Sequence, residues 1–512
     1  MKRRHHPFTP SPLHPLTPSA MRDWLRARTR ATPHKLAVLC EGRAVSYAEL
    51  DRLADGLAAG LIRRGVQPGD RVAVKLPNSI EYVALIHAVA RIGAVLVPLN
   101  TRLTAQEVAV QIDLTTHRVI IDDPVSIRPE TAPVYSTYDA PDPQSPNLPI
   151  SQSPIPNLPI SQSPIPNPQS IIFTSGTSGA PKGAVLTFDN HLWSANSSAM
   201  RLGVDVDDRW LSCLPLYHVG GQAVVFRSCL YGTAILLHQR FDVDAFNAAL
   251  DEDGPTLTSL VPTMLHRLLQ SRTQPWPESL RLVLLGGAAA TPELLADAQA
   301  ARVPVATTYG LTEAASQVAT ALPGDVRRKP GSVGKPLMFT QVEIADEQGV
   351  RLLAGEIGEI LVRGPQVMAG YFENPEATAR TLQDGWLHTG DLGYVDADGD
   401  LFLVQRRSDL IVSGGENIYP AQIEAVLRRH PAVAEACVVG IPDPEWGQRV
   451  AGAVELRPGA AATVEELLAL CRAELAGYKV PRRLLILDAL PQTSSGKIER
   501  SAVAETMAAS AG

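Results

Sequence analysis

The stretch Thr174-Ser-Gly-Thr-Ser-Gly-Ala-Pro-Lys-Gly183, directly after the apolar run Ile171-Ile-Phe173, says most about the fold. An apolar run followed by a glycine-rich loop predicts a buried strand that delivers flexible backbone to a ligand. Backbone N–H groups, Ser/Thr hydroxyls and the charge of Lys182 together suit the oxygens of a phosphate chain. Because the loop lacks the Gly-Lys-Ser/Thr ending of a Walker P-loop, it predicts a phosphate loop of another kind. An ordinary surface Gly/Ser loop is the alternative.

The composition predicts a globular protein with more than one domain. The chain has 512 residues, of which 45% are hydrophobic and 19% charged, and it is too long for one ordinary core. A net charge of −7 argues against a broad nucleic-acid-binding face. The cysteines are odd in number and form no Cys-x-x-Cys pair, which predicts reduced thiols in a cytoplasmic protein and neither a disulfide framework nor a zinc site. They are Cys40, Cys213, Cys229, Cys437 and Cys471.

Two segments could be mistaken for a membrane span or a signal peptide. His87, Arg91 and Gly93 interrupt the apolar residues 82–99, which predicts a buried helix, a turn and a buried strand, with no membrane span. Residues 1–20 are rich in proline and histidine and lack the apolar core of a signal peptide, so we expect a disordered tail. Both Met1 and Met21 stay open as the start of the protein.

The order of apolar runs predicts a layered α/β fold. Ser46 and Glu49 have the spacing of a helix capping box, and short strands alternate with helices to about residue 340. The pattern becomes β-rich after about residue 350, and a smaller unit begins near residue 408. We therefore predict a large domain over 21–405 and a small C-terminal domain over 406–512.

A proline-rich repeat interrupts this pattern. Asn147-Leu-Pro-Ile-Ser-Gln-Ser-Pro-Ile-Pro156 recurs unchanged at 157–166. Prolines at this density exclude a helix or a central strand, so we predict a surface insertion over 143–168 that leaves the core intact. A ligand for an SH3-type domain is the alternative interpretation.

Five further segments combine glycine turns with residues that bind nucleotides. Each also has an ordinary structural interpretation when it is taken alone. They are Leu214-Pro-Leu-Tyr-His218, Tyr309-Gly-Leu-Thr-Glu313, Trp386-Leu-His-Thr-Gly-Asp391, Arg406-Arg-Ser-Asp409 with Ser413-Gly-Gly-Glu-Asn417, and Pro491-Gln-Thr-Ser-Ser-Gly-Lys497.

Together and in this order, the segments resemble the acyl-adenylate-forming superfamily of acyl-CoA synthetases, peptide-synthetase adenylation domains and luciferases. The resemblance covers residues 21–505. It implies a large layered α/β N-terminal domain with a β-rich subdomain, and a small mobile α+β C-terminal domain. It also implies the reaction: ATP and a carboxylate give acyl-AMP and pyrophosphate, and a thiol then displaces AMP.

The resemblance implies a role for each matched residue. The β- and γ-phosphates would be held by Thr174, Ser175, Gly176, Thr177, Ser178, Gly179 and Lys182. Tyr309 would stack on adenine beside Gly310, Thr312 would bind the α-phosphate, and Glu313 would bind Mg²⁺. Asp391 and Arg406 would hold the ribose, Lys497 would stabilise charge at the reacting centre, Ser408 would be the hinge, and Gly414 and Gly415 would face the nucleotide and coenzyme A.

The segments 214–228, 237–241 and 413–420 look like those of the 2-succinylbenzoate–CoA ligases within this superfamily. That likeness implies an acid pocket in which His218 helps to close the site, Gly286 and Gly287 leave room for a ring, and Arg227 pairs with the aromatic carboxylate. A structural partner for Arg227 is the alternative.

Other functions stay open at this point. They are an acyl-CoA ligase for another aryl or medium-chain acid, a luciferase-like oxygenase, and a nucleotide-binding protein without catalysis. We expect small-molecule substrates only, with no nucleic acid and no membrane span, and the sequence leaves open whether the protein forms a homodimer.

Overall fold

The computed structural model describes residues 23–123, 167–175, 181–405, 410–491 and 498–509. The predicted N-terminal tail and almost all of the proline-rich insertion lie outside the described residues.

The described residues form alternating helices and strands. The helices are α1 Trp24–Ala31, α2 Tyr47–Arg63, α3 Ile80–Arg91, α4 Ala105–Thr115, α5 Phe188–Leu202, α6 Val219–Tyr231, α7 Val243–Glu252, α8 Pro262–Ser271, α9 Pro292–Ala300, α10 Pro323–Arg328, α11 Pro375–Thr381, α12 Pro420–Leu427, α13 Val464–Glu474 and α14 Arg500–Ala509. The strands are β1 Leu36–Cys40, β2 Arg43–Ser46, β3 Arg71–Val74, β4 Val95–Pro98, β5 Val119–Ile121, β6 Pro168–Ser175, β7 Pro181–Thr187, β8 Arg209–Ser212, β9 Ala234–Leu237, β10 Leu257–Leu260, β11 Leu282–Leu285, β12 Val305–Leu311, β13 Ser316–Ala321, β14 Ser332–Pro336, β15 Gln341–Ala345, β16 Gly358–Arg363, β17 Gly370–Tyr371, β18 Leu382–Gln383, β19 Trp386–Val395, β20 Leu401–Gln405, β21 Ile411–Ser413, β22 Glu416–Ile418, β23 Val433–Asp443, β24 Gly447–Leu456 and β25 Arg483–Leu487. A short 3₁₀ helix covers Thr312–Ala314.

Two sheets build the large N-terminal unit. The first has the order β15-β16-β19-β20-β14-β13-β12-β11-β10-β8-β9-β1-β2, with parallel pairs from β12 to β1 and antiparallel pairs from β15 to β12. The second has the order β17-β7-β6-β4-β3-β5. The first sheet changes from parallel to antiparallel pairing at β12 and β13, and the predicted β-rich region after about residue 350 lies within its antiparallel part.

Local sequence signals account for several elements of this unit. The capping box predicted at Ser46 and Glu49 is present at the start of α2. The apolar segment 82–99 is a buried helix, a turn and the buried strand β4, as predicted. In the part of the chain that the structure describes, no helix combines the length and the apolar character that crossing a membrane requires.

The C-terminal unit has its own sheet and its own core. The order β22-β21-β24-β23, with β25 beside β24, forms the sheet, and α12 and α13 pack against it around Ile423 and Leu467. The helix near Pro420 and the capped helix after Thr463 were both predicted from sequence, and both are present. The predicted fold class, a large α/β unit with a small α+β unit, is confirmed. The predicted boundary at 405/406 adjoins residues outside the described range and stays a prediction.

Candidate active site

An inner cavity of about 70 Å³ lies where β12 ends beside β19. Thr312 opens the 3₁₀ helix at that point and lies on the cavity wall. Gly310 permits the close approach, because a Cβ there would lie 1.7 Å from the carbonyl oxygen of Ser316. The lining residues are Thr174, Gly310, Leu311, Thr312, Glu313, Tyr371, Thr381, Leu387, His388, Thr389, Asp391, Leu410, Asn417 and Tyr419.

Asp391 is buried on this wall and is held in place by its neighbours. The hydroxyl of Tyr309 donates to Asp391 Oδ2 at 2.7 Å, and the Asp391 N–H donates to Thr389 Oγ1 at 3.1 Å. The ring of Tyr309 is 0% exposed and packs in the core of the β-rich subdomain, and its hydroxyl orients Asp391. Stacking of adenine on this ring stays a prediction.

Glu313 connects the inner cavity to the base of the phosphate loop. The hydroxyl of Tyr371 donates to Glu313 Oε1 at 2.8 Å, and the Thr174 hydroxyl lies 3.5 Å from the same oxygen. Thr174 stands opposite Lys182 in the β6–β7 ladder, and Lys182 Nζ lies 5.5 Å from the Tyr371 ring centroid. A buried carboxylate beside the predicted phosphate loop has the hard oxygen chemistry that Mg²⁺ prefers. Tyr371 was not predicted, because only its contact in the fold distinguishes it from a core tyrosine.

A larger interdomain cleft, of about 390 Å³, separates the N-terminal and C-terminal units. His218 lies at the N-terminus of α6 on one side of the cleft, and Glu416 lies at the start of β22 on the other. His218 Nε2 is 3.3 Å from Glu416 Oε2, and Arg102 Nη1 is 3.0 Å from Glu416 Oε1. Burial alone would raise the pKa of the Glu416 carboxyl, but His218 and Arg102 outweigh burial and lower that pKa to about 2.

Glu416 is a site residue that sequence reasoning missed. It belongs to the glycine-rich segment that we singled out, and the cationic groups facing it come from distant parts of the chain. Its neighbours Gly414 and Gly415 both have positive φ, +58° and +83°. A Cβ on Gly414 would lie 2.6 Å from the Trp446 ring, and one on Gly415 would lie 3.2 Å from Val261. This turn is thus pressed between Trp446 and the N-terminal unit, and neither glycine is among the described residues that line the inner cavity.

Arg227 is a buried residue of α6, and two of its hydrogen-bond donors have no partner among the described residues. It is 2% exposed, and within the described part of the chain its Nε and Nη2 atoms have no hydrogen-bond partner. Burial lowers the pKa of Arg227. Burial and, as a smaller cause, the nearby charge of Arg227 lower the pKa of His191 to about 3. A buried guanidinium with two open donors is suited to a carboxylate or to water.

The other predicted acid-pocket residues pack closely. A Cβ on Gly286 would lie 2.7 Å from Thr308 Cγ2, and one on Gly287 would lie 3.1 Å from Val261. Among the described residues, the walls of the inner cavity and the interdomain cleft include neither glycine, nor Arg227. The structure therefore unites the predicted nucleotide residues Thr174, Gly310, Thr312, Glu313 and Asp391, and it leaves the acid pocket a prediction.

Several predicted site residues lie outside the described residues, so their roles also stay predictions. They are Gly176, Thr177, Ser178, Gly179, Arg406, Ser408 and Lys497, together with the side chain of Ser175.

Comparison with known proteins identifies the class of enzyme to which this fold belongs. Residues 25–372 match the AMP-binding enzyme family, and residues 422–497 match the AMP-binding enzyme C-terminal domain, so this chain belongs to the AMP-binding enzyme family. The 2-succinylbenzoate–CoA ligase of Bacillus cereus is 42% identical over 481 residues, which cover 94% of this chain and 97% of that protein.

Two solved structures of o-succinylbenzoate CoA synthetase (MenE) from Bacillus subtilis are also similar. A double mutant bound with its product analogue OSB-NCoA has a TM-score of 0.85 at 36% identity, covering 94% of this chain and 98% of that one. The enzyme in complex with ATP and a magnesium ion has a TM-score of 0.67 at 36% identity, covering 94% of this chain and 99% of that one.

Proposed function

We propose that this protein ligates 2-succinylbenzoate to coenzyme A through an acyl-AMP intermediate, releasing AMP and pyrophosphate, as a step of menaquinone biosynthesis. The observation that carries the proposal is the 42% identity to a 2-succinylbenzoate–CoA ligase across 94% of this chain. Five residues predicted to bind the nucleotide line the inner cavity, which supports the proposal: Thr174, Gly310, Thr312, Glu313 and Asp391.

The nucleotide would lie along the inner cavity. The Asp391 carboxylate, oriented by Tyr309, is placed to accept hydrogen bonds from the two ribose hydroxyls. Thr312 would bind the α-phosphate, and the loop from Thr174 to Lys182 would bind the β- and γ-phosphates. Bound at Glu313, Mg²⁺ would neutralise charge on the phosphate oxygens.

The acid would react through its succinyl carboxylate. One carboxylate oxygen attacks the α-phosphorus of ATP, a new P–O bond forms, and the bond to the pyrophosphate oxygen breaks. Lys497 would stabilise the negative charge that develops between these groups, so no general base is required. Arg227 would receive the ring carboxylate, since it has two open donors in a buried site.

Coenzyme A would react in a second arrangement of the two units, reached by rotation at Ser408. Its thiolate sulfur attacks the acyl carbon, the thioester forms, and AMP leaves with the electrons of the acyl–phosphate bond. The present arrangement matches the product-analogue complex with a TM-score of 0.85 and the ATP complex with 0.67, at the same 36% identity. This difference supports assigning the described arrangement to thiol transfer.

A substrate panel tests the proposed function. Pyrophosphate release and CoA-thioester formation are measured with 2-succinylbenzoate, benzoate and octanoate in the presence of ATP and Mg²⁺. We expect turnover that depends on both ATP and CoA and that is highest for 2-succinylbenzoate, without oxygen uptake. Faster turnover of benzoate or octanoate would assign another acid, and oxygen consumption during turnover would favour the oxygenase.

A further inference from the structure

A buried ion pair joins the N-terminal and C-terminal units on the α4 side of the interdomain cleft. Glu107 is the third residue of α4, and Lys479 lies in the segment between α13 and β25. Lys479 Nζ donates to Glu107 Oε1 at 2.6 Å, and the two residues are only 5% and 8% exposed. Gln422 of α12 contacts both partners, at 3.0 Å from the lysine and 3.3 Å from the carboxylate.

Both oxygens of the Glu107 carboxylate are occupied. Oε2 accepts from the Thr104 N–H at 3.0 Å and caps the start of α4. The same oxygen accepts from the Ala476 N–H of the C-terminal unit, also at 3.0 Å. The helix cap therefore orients a charged acceptor toward the C-terminal unit before that unit arrives, which lowers the entropic cost of the contact.

Apolar packing accompanies the ion pair. Ala476 is 2% exposed and belongs to the same core cluster as Leu103 and Val108 of the N-terminal unit. The turn after α13 thus inserts into the N-terminal unit at the point where the charges meet. A buried pair that loses one partner leaves an uncompensated buried charge, so the contact strongly favours the arrangement that contains it.

We propose that Glu107, Lys479 and Gln422 form a latch that holds the two units in the arrangement for thiol transfer. The three are positioning residues: they hold the C-terminal unit against α4 and, under the proposed function, do not contact the reacting atoms. The proposal rests on the two-step function above. Adenylation, which uses another arrangement, does not need the latch.

Half-reaction kinetics on the full-length protein test the latch. Glu107→Gln keeps a side chain that can cap α4 but removes the charge, and Lys479→Met removes the other charge at similar length. We expect each variant to slow thioester formation from supplied acyl-AMP by at least about tenfold, and to leave pyrophosphate release within about twofold. In the double variant no buried charge is left alone, so it should be no slower than the slower single variant.

The exposed interdomain pair Arg267–Glu445 provides a matched control. Its closest atoms are 3.7 Å apart and its side chains are 47% and 49% exposed, so Arg267→Met should leave both half-reactions within about twofold. Equal losses in the two half-reactions, or none in either, would overturn the latch. So would slowing by Arg267→Met as large as that by Lys479→Met.

A distance measurement separates the latch from the choice of acid. Spin labels at Asp113→Cys and Glu465→Cys report the separation of α4 and α13 without any substrate. We expect Lys479→Met to broaden this distance distribution, and an unchanged distribution would overturn the proposal. If the distribution broadens but the wild-type protein forms no thioester from 2-succinylbenzoate, the latch stands and the assigned acid is wrong.

Discussion

Replacing Arg227 with methionine removes a buried guanidinium whose Nε and Nη2 atoms have no hydrogen-bond partner within the described residues. If these donors hold the ring carboxylate, the variant loses charge-assisted hydrogen bonds worth about 1.5–3 kcal/mol. This loss corresponds to a decrease of about 10- to 150-fold in kcat/KM for 2-succinylbenzoate. The matched substrate is the analogue with hydrogen in place of the ring carboxylate, for which wild type and variant should differ by no more than about twofold.

Thermal unfolding distinguishes this role from a structural one. An unpaired buried charge destabilises the ligand-free fold, so Arg227→Met should raise Tm while it lowers kcat/KM. Arg227→Lys keeps the charge without the planar pair of donors, and we expect intermediate activity on 2-succinylbenzoate. Equal losses on both substrates, or a lower Tm for the methionine variant, would show that Arg227 has a structural partner and that the ring carboxylate binds elsewhere.

Three further predictions concern Lys497, the repeat and Glu416. Lys497→Ala should suppress pyrophosphate release and spare thioester formation from supplied acyl-AMP; equal loss in both steps would contradict the two-arrangement scheme. Deleting residues 147–166 should leave kcat and Tm nearly unchanged, and a protein that no longer folds would show that the repeat supports the core. His218 and Arg102 outweigh burial and hold the Glu416 pKa at about 2, below the usual 4.5. The ionised Glu416 carboxylate therefore stabilises the fold above pH 4.5, and this contribution is lost as the pH falls toward 2. In Glu416→Gln, Tm should therefore fall less steeply than in the wild type as the pH is lowered from 4.5 toward 2. An unchanged fall of Tm would show that other carboxyl groups cause it.

Sequence patterns predicted elements whose signals are local. The capping box at Ser46, the helix near Pro420 and the strand before the phosphate loop each depend on neighbouring residues, and each is present. The nucleotide residues were predicted because short motifs carry them, and the fold then brings Thr174 and Asp391 to one cavity.

Contacts between distant segments could not be predicted in this way. Glu416 faces Arg102 and His218, and Tyr371 donates to Glu313, but no spacing in the sequence relates these residues. Tyr309 is a further case: its motif implied stacking on adenine, and only the fold shows that its hydroxyl also donates to Asp391.

Under the proposed function, the division of charged groups between the two units accounts for how one protein would serve two reactions. Asp391, Thr312 and Glu313 all belong to the N-terminal unit and line one cavity, so a nucleotide held by them would keep its place if the C-terminal unit moved. Lys497 falls in the segment that matches the AMP-binding enzyme C-terminal domain. Glu416 belongs to the C-terminal unit, and in the described arrangement it faces His218. There Glu416 occupies Arg102 and His218, the two cationic groups that an incoming anionic acid or triphosphate could otherwise use. Thiol transfer leaves an uncharged thioester group in place of the succinyl carboxylate, so under the proposed function this arrangement suits the product better than the free acid.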